Sequence, residues 1–141
     1  MREGDAKLID LLRINAREPA ASLARKLGLA RSTVQERIAR LEREGVILGY
    51  TLRLSDEAAA GRIRAIAMIG TDAKRADRTA AELKRITEIR SLYAVSGSFD
   101  LVATVEAETM ARMDALLDRI GAVHGVARTV SSIVLSEKFS R

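Results

Sequence analysis

A series of polar and basic side chains over residues 31–43 has the chemistry to bind a nucleic acid. Guanidinium groups bind phosphates or pair with guanine, a carboxamide pairs with adenine, and a carboxylate accepts from cytosine. These groups can act together only where one helix presents them on one side. We therefore predict that double-stranded DNA is contacted by Arg31, Ser32, Thr33, Gln35, Glu36, Arg40 and Arg43.

The residues around this series have the spacing of a helix-turn-helix. Ala24 is small where two helices must approach closely, Gly28 can take the positive φ of a tight turn, and Val34 packs the next helix onto the first. If Val34, Ile38 and Leu41 face inward, a rotation of about 100° per residue turns the predicted contacts outward. We expect the helix that carries them to be the recognition helix.

Basic charge is concentrated in the same part of the chain. The 24 Lys/Arg and 19 Asp/Glu residues give a net charge of +5 and a pI near 10.1. Residues 21–43 hold six basic and two acidic side chains (6 − 2 = +4), whereas residues 65–141 hold eleven and ten (11 − 10 = +1). This distribution favours a polyanionic partner for the first half. The alternative is a solvated helix face with a pair between Glu36 and Arg40, worth about 0.2–0.5 kcal/mol.

Composition argues against several classes of protein. The chain has no cysteine and a single histidine, His124, which disfavours disulfides, thiolate or multi-histidine metal centres and a Ser/His/Asp triad. We therefore expect no catalytic residue, no metal and no cofactor. No apolar run is long enough to cross a membrane and the first ten residues are charged, so we expect a cytoplasmic, nucleoid-associated protein.

The first half of the chain predicts three helices followed by a strand. Asp5 can cap the first helix, Pro19 suits the first turn of the second, and Gly45 can end the third. From residue 46 the apolar residues recur with a period of about two, which predicts a strand that leaves the helical unit at residues 46–54.

The second half alternates strands and helices in the order βαββαβ. This α+β pattern matches a ferredoxin-like arrangement, with an antiparallel sheet and both helices on one face. We predict a DNA-binding domain over residues 1–54, a linker over 55–61 and a ferredoxin-like domain over 62–141. The predicted elements are a strand at 63–69, a helix at 72–87, strands at 92–95 and 101–105, a helix at 109–120 and a strand at 126–135.

Two of these strands, residues 65–69 and 101–105, are apolar on both faces, although two helices can cover only one face of a four-stranded sheet. A second copy of the chain is the simplest cover for the other face, because twofold homodimers are the commonest soluble oligomers. The alternative is that the linker or the N-terminal helices fold back over the sheet.

Several stretches in combination resemble one known family. They are residues 5–12 as a first helix, 27–29, 33–34 and 37–42 around a recognition helix, 45–50 as an exit strand, and 95–100, Val-Ser-Gly-Ser-Phe-Asp, as an effector loop of the type Gly-Asp-Tyr/Phe-Asp. Over essentially its whole length the chain resembles the Lrp/AsnC family, the feast/famine transcriptional regulators. The resemblance implies a winged helix-turn-helix joined to an amino-acid-sensing domain that dimerises through its sheet, with dimers assembling into octamers that bind operator DNA.

The resemblance also implies an effector site for an amino acid or a related small molecule. In the loop at residues 97–100, glycine permits close approach of the backbone, Ser98 offers a hydroxyl and Asp100 can accept from an ammonium group. Two residues of the last strand match the family's Thr-x-Thr positions. The candidate effector residues are Gly97, Ser98, Phe99, Asp100, Thr129 and Ser131. The alternative is that Asp100 only caps the turn between two strands.

Two residues depart from the family pattern. Ala30 stands where the family usually has a capping serine, a change that costs about 1 kcal/mol unless Ser32 with Gln35 caps a helix that starts later. Ser98 replaces the first acidic residue of the effector loop, which leaves the identity of the effector open.

Three other functions are compatible with parts of the sequence. Siroheme decarboxylases share this architecture, but their chemistry needs protonatable groups, and His124 lies in a turn that favours a surface histidine. An RNA-binding sheet needs exposed aromatic side chains, of which the chain has few. An architectural DNA-binding protein differs from the leading prediction only in lacking a ligand response.

Overall fold

The computed structural model describes residues 2–140 and divides between Arg53 and Leu54 into two compact units, here called the N-terminal unit and the C-terminal unit. Each unit has its own hydrophobic core. Within residues 2–140, none of the helices combines the length and the apolar character needed to span a lipid bilayer.

In the described part of the N-terminal unit, residues 2–53, there are three helices: α1 (Asp5–Ile14), α2 (Ala20–Leu27) and α3 (Arg31–Arg43). Each places apolar side chains at helical spacing on one face, and these faces meet in a single core. The fully buried leucine and valine side chains of this core are Leu8, Leu23, Val34 and Leu41. Burial of the last two fixes the rotation of α3 and therefore decides which of its side chains face outward.

Glycine closes the turns on both sides of α3. Gly28 has φ +66°, and the N–H of the next residue donates to the carbonyl of Ala24 at 2.9 Å, an arrangement that commonly ends helices. Gly45 has φ +69°, and the N–H of the next residue donates to the carbonyl of Leu41 at 2.9 Å. The positive φ predicted for Gly28 and the end predicted for the third helix at Gly45 are both confirmed.

The starts of α1 and α3 differ from the prediction. Gly4 is the N-cap of α1, and Asp5 is the first helical residue, with a carboxylate that accepts from the N–H of Arg2 at 2.6 Å rather than capping the helix. The helix α3 starts directly after Ala30, an N-cap in extended conformation whose side chain makes no capping hydrogen bond. The prediction that α3 starts later, with Ser32 as its cap, is wrong, because tertiary packing supports the first turn without a side-chain cap.

The strand predicted over residues 46–54 is absent from the described N-terminal unit. The segment has no regular secondary structure, and Leu48 is 93% exposed. The apolar alternation exists, but a strand also needs a neighbouring strand to pair its backbone groups, and residues 2–53 contain none. Tyr50 contacts α3 instead, because its hydroxyl donates to Glu42 Oε1 at 2.8 Å. The unit is therefore a helix-turn-helix without a β-wing.

Over residues 54–140, four strands and three helices make up the C-terminal unit. They are α4 (Asp56–Ala59), β1 (Ile63–Thr71), α5 (Ala76–Leu83), β2 (Ile89–Ala94), β3 (Leu101–Ala107), α6 (Met110–Gly121) and β4 (Val126–Ile133). The strands form one antiparallel sheet in the order β2-β3-β1-β4, as in a ferredoxin-like fold. The predicted fold class of the second half is confirmed, and the predicted linker contains the short helix α4.

Two element boundaries in this unit differ from the prediction. The helix predicted from Asp72 starts at Ala76, because the N–H of Arg75 donates to the carbonyl of Asp72 at 2.8 Å and closes a turn first. The strand predicted from residue 92 starts at Ile89, which pairs with Val105 of β3. A local turn therefore decides the first boundary, and pairing with a strand that is distant in sequence decides the second.

The two faces of the sheet differ in what covers them. Helices α5 and α6 pack on one face, where alternate residues of β1 and β3 are buried. On the other face, here called the open face, the strand register aligns one apolar side chain from each strand. Tyr93 and Val130 are 58% and 54% exposed there. The row consists of Tyr93, Val102, Met68 and Val130. The prediction that the helices cover only one face of an apolar sheet is confirmed.

Candidate DNA interface and effector site

The exposed side of α3 carries most of the predicted DNA contacts. Val34 and Leu41 point into the core, so the other side of the helix faces solvent. Thr33 is half-buried at its edge. The exposed members of the predicted set are Arg31, Ser32, Gln35, Glu36 and Arg43. This surface offers two guanidinium groups, a hydroxyl, a carboxamide and a carboxylate, which are the groups that bind phosphates and base edges.

Arg40 does not share this exposure. Its Nη2 lies 2.7 Å from Asp5 Oδ1 and its Nη1 lies 3.0 Å from Glu44 Oε2, and only 12% of its side chain is exposed. The prediction that Arg40 faces outward is wrong, because a buried carboxylate from another helix draws the guanidinium inward. Its positive charge is compensated inside the unit, so we no longer expect Arg40 to contact phosphates.

The turn at residues 2–5, here called the N-terminal turn, packs against α3. Its Asp5 is fully buried, and the pKa of this carboxyl lies below the usual value, chiefly because Arg40 donates to it and also because a backbone N–H of the turn donates. Gly4, with φ +87°, lies against Arg37: an ideal Cβ on Gly4 would be 2.7 Å from Arg37 Nη1. The turn therefore contacts two arginines of α3. The sequence carries no local signal for this arrangement, because 35 residues separate Asp5 from Arg40.

The predicted effector loop, residues 97–100, joins β2 to β3 at one end of the sheet. The N–H of Asp100 donates to the carbonyl of Ile69 at 3.0 Å, and Asp100 Oδ2 accepts from the N–H of Thr71 at 2.8 Å. Asp100 thus ties the loop to the end of β1, as in the turn-capping alternative. Its side chain is nevertheless exposed, so the carboxylate also remains accessible to a ligand.

Thr129 and Ser131 lie on β4, away from this loop. Thr129 pairs with Ile69 and Ser131 pairs with Ala67, so both side chains are on the helix-covered face of the sheet, where they are exposed at its edge. Because β1 lies between β4 and β3, two strand spacings, about 10 Å, separate Thr129 from the start of β3. The structure of one chain does not bring the six candidate effector residues into a single enclosed pocket.

Arg128 was not among the predicted site residues, yet it connects β4 with the effector loop. It pairs with Gly70 of β1, and its side chain crosses that glycine: an ideal Cβ on Gly70 would lie 2.9 Å from Arg128 Cγ. The guanidinium carbon lies 4.4 Å from the centroid of the Phe99 ring, and Nη2 donates to the carbonyl of Ser98. Only the strand register reveals this contact, so sequence patterns offer no signal for it.

A cavity of about 520 Å³ elsewhere in the C-terminal unit is lined by charged side chains that pair with one another. Glu106 lies 2.9 Å from Arg90 and 3.5 Å from Arg62, and Glu88 lies 3.3 Å from Arg119. The hydrogen bond from Arg90 is the main reason that the pKa of Glu106 is lowered. Because these guanidinium groups are already paired, the cavity is a weaker ligand candidate than the effector loop. Across residues 2–140, no cluster of three His, Cys, Asp or Glu side chains could hold a metal ion.

The chain matches the models of two protein-family domains. The Lrp/AsnC ligand binding domain matches residues 64–141, which is more than half of the chain. The AsnC-type helix-turn-helix domain matches residues 2–42. The two matches lie within the C-terminal and N-terminal units, respectively.

Two transcriptional regulators and one solved regulatory protein are similar to the chain along nearly its whole length. The HTH-type transcriptional regulator FL11 of Pyrococcus furiosus is 32% identical, covering 93% of this chain and 87% of that protein. The HTH-type transcriptional regulator LrpA of Mycobacterium tuberculosis is 34% identical, covering 96% and 91%. A solved feast or famine regulatory protein from M. tuberculosis, complexed with L-methionine, has a TM-score of 0.84 at 34% identity, covering 96% of this chain and 92% of that chain.

Proposed function

Because the chain belongs to the Lrp/AsnC family of transcriptional regulators, we propose that it binds operator DNA through the exposed side of α3 and that an amino acid bound by the C-terminal unit changes its assembly. The relatives are named transcriptional regulators, which confirms the prediction of a regulator rather than an enzyme and removes the decarboxylase alternative.

The observation that carries the DNA-binding proposal is the fixed rotation of α3. Burial of Val34 and Leu41 leaves an outward surface on which basic groups flank a carboxamide and a carboxylate. Arg31 and Arg43 then hold phosphates, and Gln35 pairs with a base edge. The remaining proposed contacts are Ser32, Thr33 and Glu36. We therefore propose that the protein associates with the nucleoid.

Selection from a random-sequence duplex library, followed by fluorescence-anisotropy titration at several salt concentrations, tests this proposal. We expect the selected duplex to bind more tightly than unrelated duplexes, with an affinity that falls steeply as salt rises. Gln35→Ala should relax the preference at one base pair and cost about 1–3 kcal/mol of discrimination there. Native protein that binds no duplex even at low salt would exclude DNA binding through α3.

For assembly, we propose that a second copy covers the open face of the sheet. The row that includes Tyr93 and Val130 leaves apolar area exposed in one chain, and a twofold axis through the sheet would bury it in both copies. Dimers of this kind place two α3 helices in one molecule, as binding to a two-part operator requires. We propose further that these dimers associate into octamers.

The proposed effector is an amino acid, because a relative at 34% identity is complexed with L-methionine. The effector loop is exposed in one chain, so a neighbouring copy is needed to enclose a ligand there. A ligand held between copies shifts assembly in proportion to its differential affinity for the assembly states. Thermal shift and light scattering with each L-amino acid test this. If none stabilises the protein or changes its size, the chain is an architectural DNA-binding protein without a ligand response.

A further inference from the structure

We propose that Arg128 is a binding residue of the effector site, where its guanidinium group holds the carboxylate of the amino acid. The consequence is a preference for free amino acids over their carboxamides, which lack that negative charge. This inference rests on the proposed amino-acid response and adds the residue and the charge on which recognition depends.

The first support is the way in which the Arg128 side chain is held. Its stem lies over Gly70, where a Cβ would be 2.9 Å from Arg128 Cγ and 3.1 Å from Nε, so the absence of a side chain at Gly70 opens the path across β1. At the far end, the guanidinium stacks over Phe99 and donates to the carbonyl of Ser98. A guanidinium held in this way loses little further conformational entropy when it binds a ligand.

The second support is the number of free donors. A guanidinium group carries five N–H donors in a planar fork, which matches the two oxygens of a carboxylate. The Arg128 side chain is exposed, and its hydrogen bond to the carbonyl of Ser98 uses one end of the fork only. The remaining donors can therefore reach a ligand placed beside the effector loop.

The third support is charge. Arg90, Arg112 and Arg119 of the same unit are each within 3.3 Å of a glutamate oxygen. By contrast, an aromatic ring and a backbone carbonyl contact the Arg128 guanidinium, and in the described part of the chain no carboxylate forms an ion pair with it. Among the described residues its guanidinium group therefore has no ion-pair partner and is available to an anion.

The fourth support is the position of Asp100 in the same loop. One of its carboxylate oxygens accepts from the N–H of Thr71, and the side chain is exposed. Arg128 contacts the loop two residues earlier, at Ser98. A positive and a negative group beside one short loop match the two charges of a zwitterionic amino acid, with the carboxylate toward Arg128 and the ammonium toward Asp100.

The test compares each L-amino acid with its carboxamide, beginning with L-methionine and L-methioninamide, by isothermal titration calorimetry on the full chain. We expect the native protein to prefer the free amino acid. Arg128→Gln should weaken binding of the free amino acid about 10- to 100-fold and change carboxamide binding much less, so the preference disappears. Gly70→Ala keeps the charge of Arg128 but displaces the aliphatic part of its side chain. This variant should also reduce the preference for the free amino acid.

The control is Arg78→Gln, which removes the same charge from an exposed position on α5 and should leave both ligands unaffected. Equal weakening of both ligands by Arg128→Gln would mean that Arg128 only shapes the loop, and an unchanged preference would mean that it plays no part; either result overturns this inference alone. If the native chain binds no amino acid, both this inference and the proposed response fail. The unfolding midpoint and the DNA affinity of each variant establish that it is folded.

Discussion

The two units present exposed surfaces of opposite character. The outward side of α3 displays Arg31, Gln35 and Arg43, whose chemistry suits a polyanion, whereas the open face of the sheet displays Tyr93 and Val130, which another apolar surface would have to bury. Binding to the first surface should weaken steeply with salt, and association through the second should be insensitive to salt or strengthened by sulfate. In the proposed dimer, recognition of DNA and assembly therefore depend on different physical forces.

A charged residue placed on the open face should have the largest effect on the difference between the two surfaces. We expect Val130→Asp to prevent self-association, because an unpaired carboxylate buried in the apolar row is costly. The loss of a paired recognition helix should then weaken operator binding about 100-fold or more. Sedimentation velocity and DNA titration measure the two effects. Ala111→Asp, at an exposed position on α6 on the opposite side of the sheet, is the control, and a dimer that survives Val130→Asp would show that the open face is not the interface.

Removing a charge from the outward side of α3 should affect DNA binding without affecting assembly. We expect Arg43→Ala to weaken binding to all duplexes about tenfold near 0.1 M salt and to make the log–log salt slope shallower by about 1. Arg13→Ala, at an exposed position on α1, is the matched control. Arg40→Ala should lower stability and leave the slope nearly unchanged. A salt slope that falls for Arg40→Ala but not for Arg43→Ala would reverse these assignments.

The buried carboxylate behind α3 should make the stability of the N-terminal unit depend on pH. The pKa of Asp5 is lowered in the folded chain, so its stabilising effect is complete above the ordinary value, about pH 4, and is lost as the pH falls through the lowered pKa. We expect Asp5→Asn to lower the unfolding midpoint by several degrees at neutral pH and by much less at pH 2. Thermal unfolding across this pH range measures the difference, and a difference independent of pH would contradict the ion pair with Arg40.

The smallest expected effect concerns the uncapped start of α3. Ala30 has the extended N-cap conformation but no side-chain acceptor. We expect Ala30→Ser to stabilise the N-terminal unit by about 1 kcal/mol, because a hydroxyl oxygen can accept from a free N–H of the first turn. Urea unfolding measures the gain, with Ala30→Val as the control that adds side-chain volume without an acceptor. Equal stability of the native and Ala30→Ser chains would show that this N–H is already satisfied.

Sequence patterns predicted the N-terminal unit well where helical periodicity and turn glycines decide the structure. Val34 and Leu41 are buried and Gly28 has the predicted positive φ. Periodicity could not place Arg40, because the orientation of a long side chain depends on which charges lie within its reach. The strand predicted at 46–54 failed for a related reason: alternation describes one segment, but a strand requires a partner.

For the proposed effector site, the sequence indicated a loop but not the contacts that this loop makes. Residues 97–100 were recognisable because they are contiguous, and the structure shows Asp100 tied to β1. The contact of Arg128 with this loop depends on the pairing of Arg128 with Gly70, and no local pattern encodes that pairing. Periodicity can therefore predict which side of a helix is exposed, whereas the contacts between three separate segments need the strand register.

The N-terminal turn has a practical consequence. Its Gly4 lies against Arg37, and Asp5 contacts Arg40, so the amino end of the chain is part of the support of the recognition helix. An affinity tag or fluorescent protein fused at that end would be placed beside α3. Fusions at the carboxyl end, which belongs to the other unit, leave the N-terminal turn as it is.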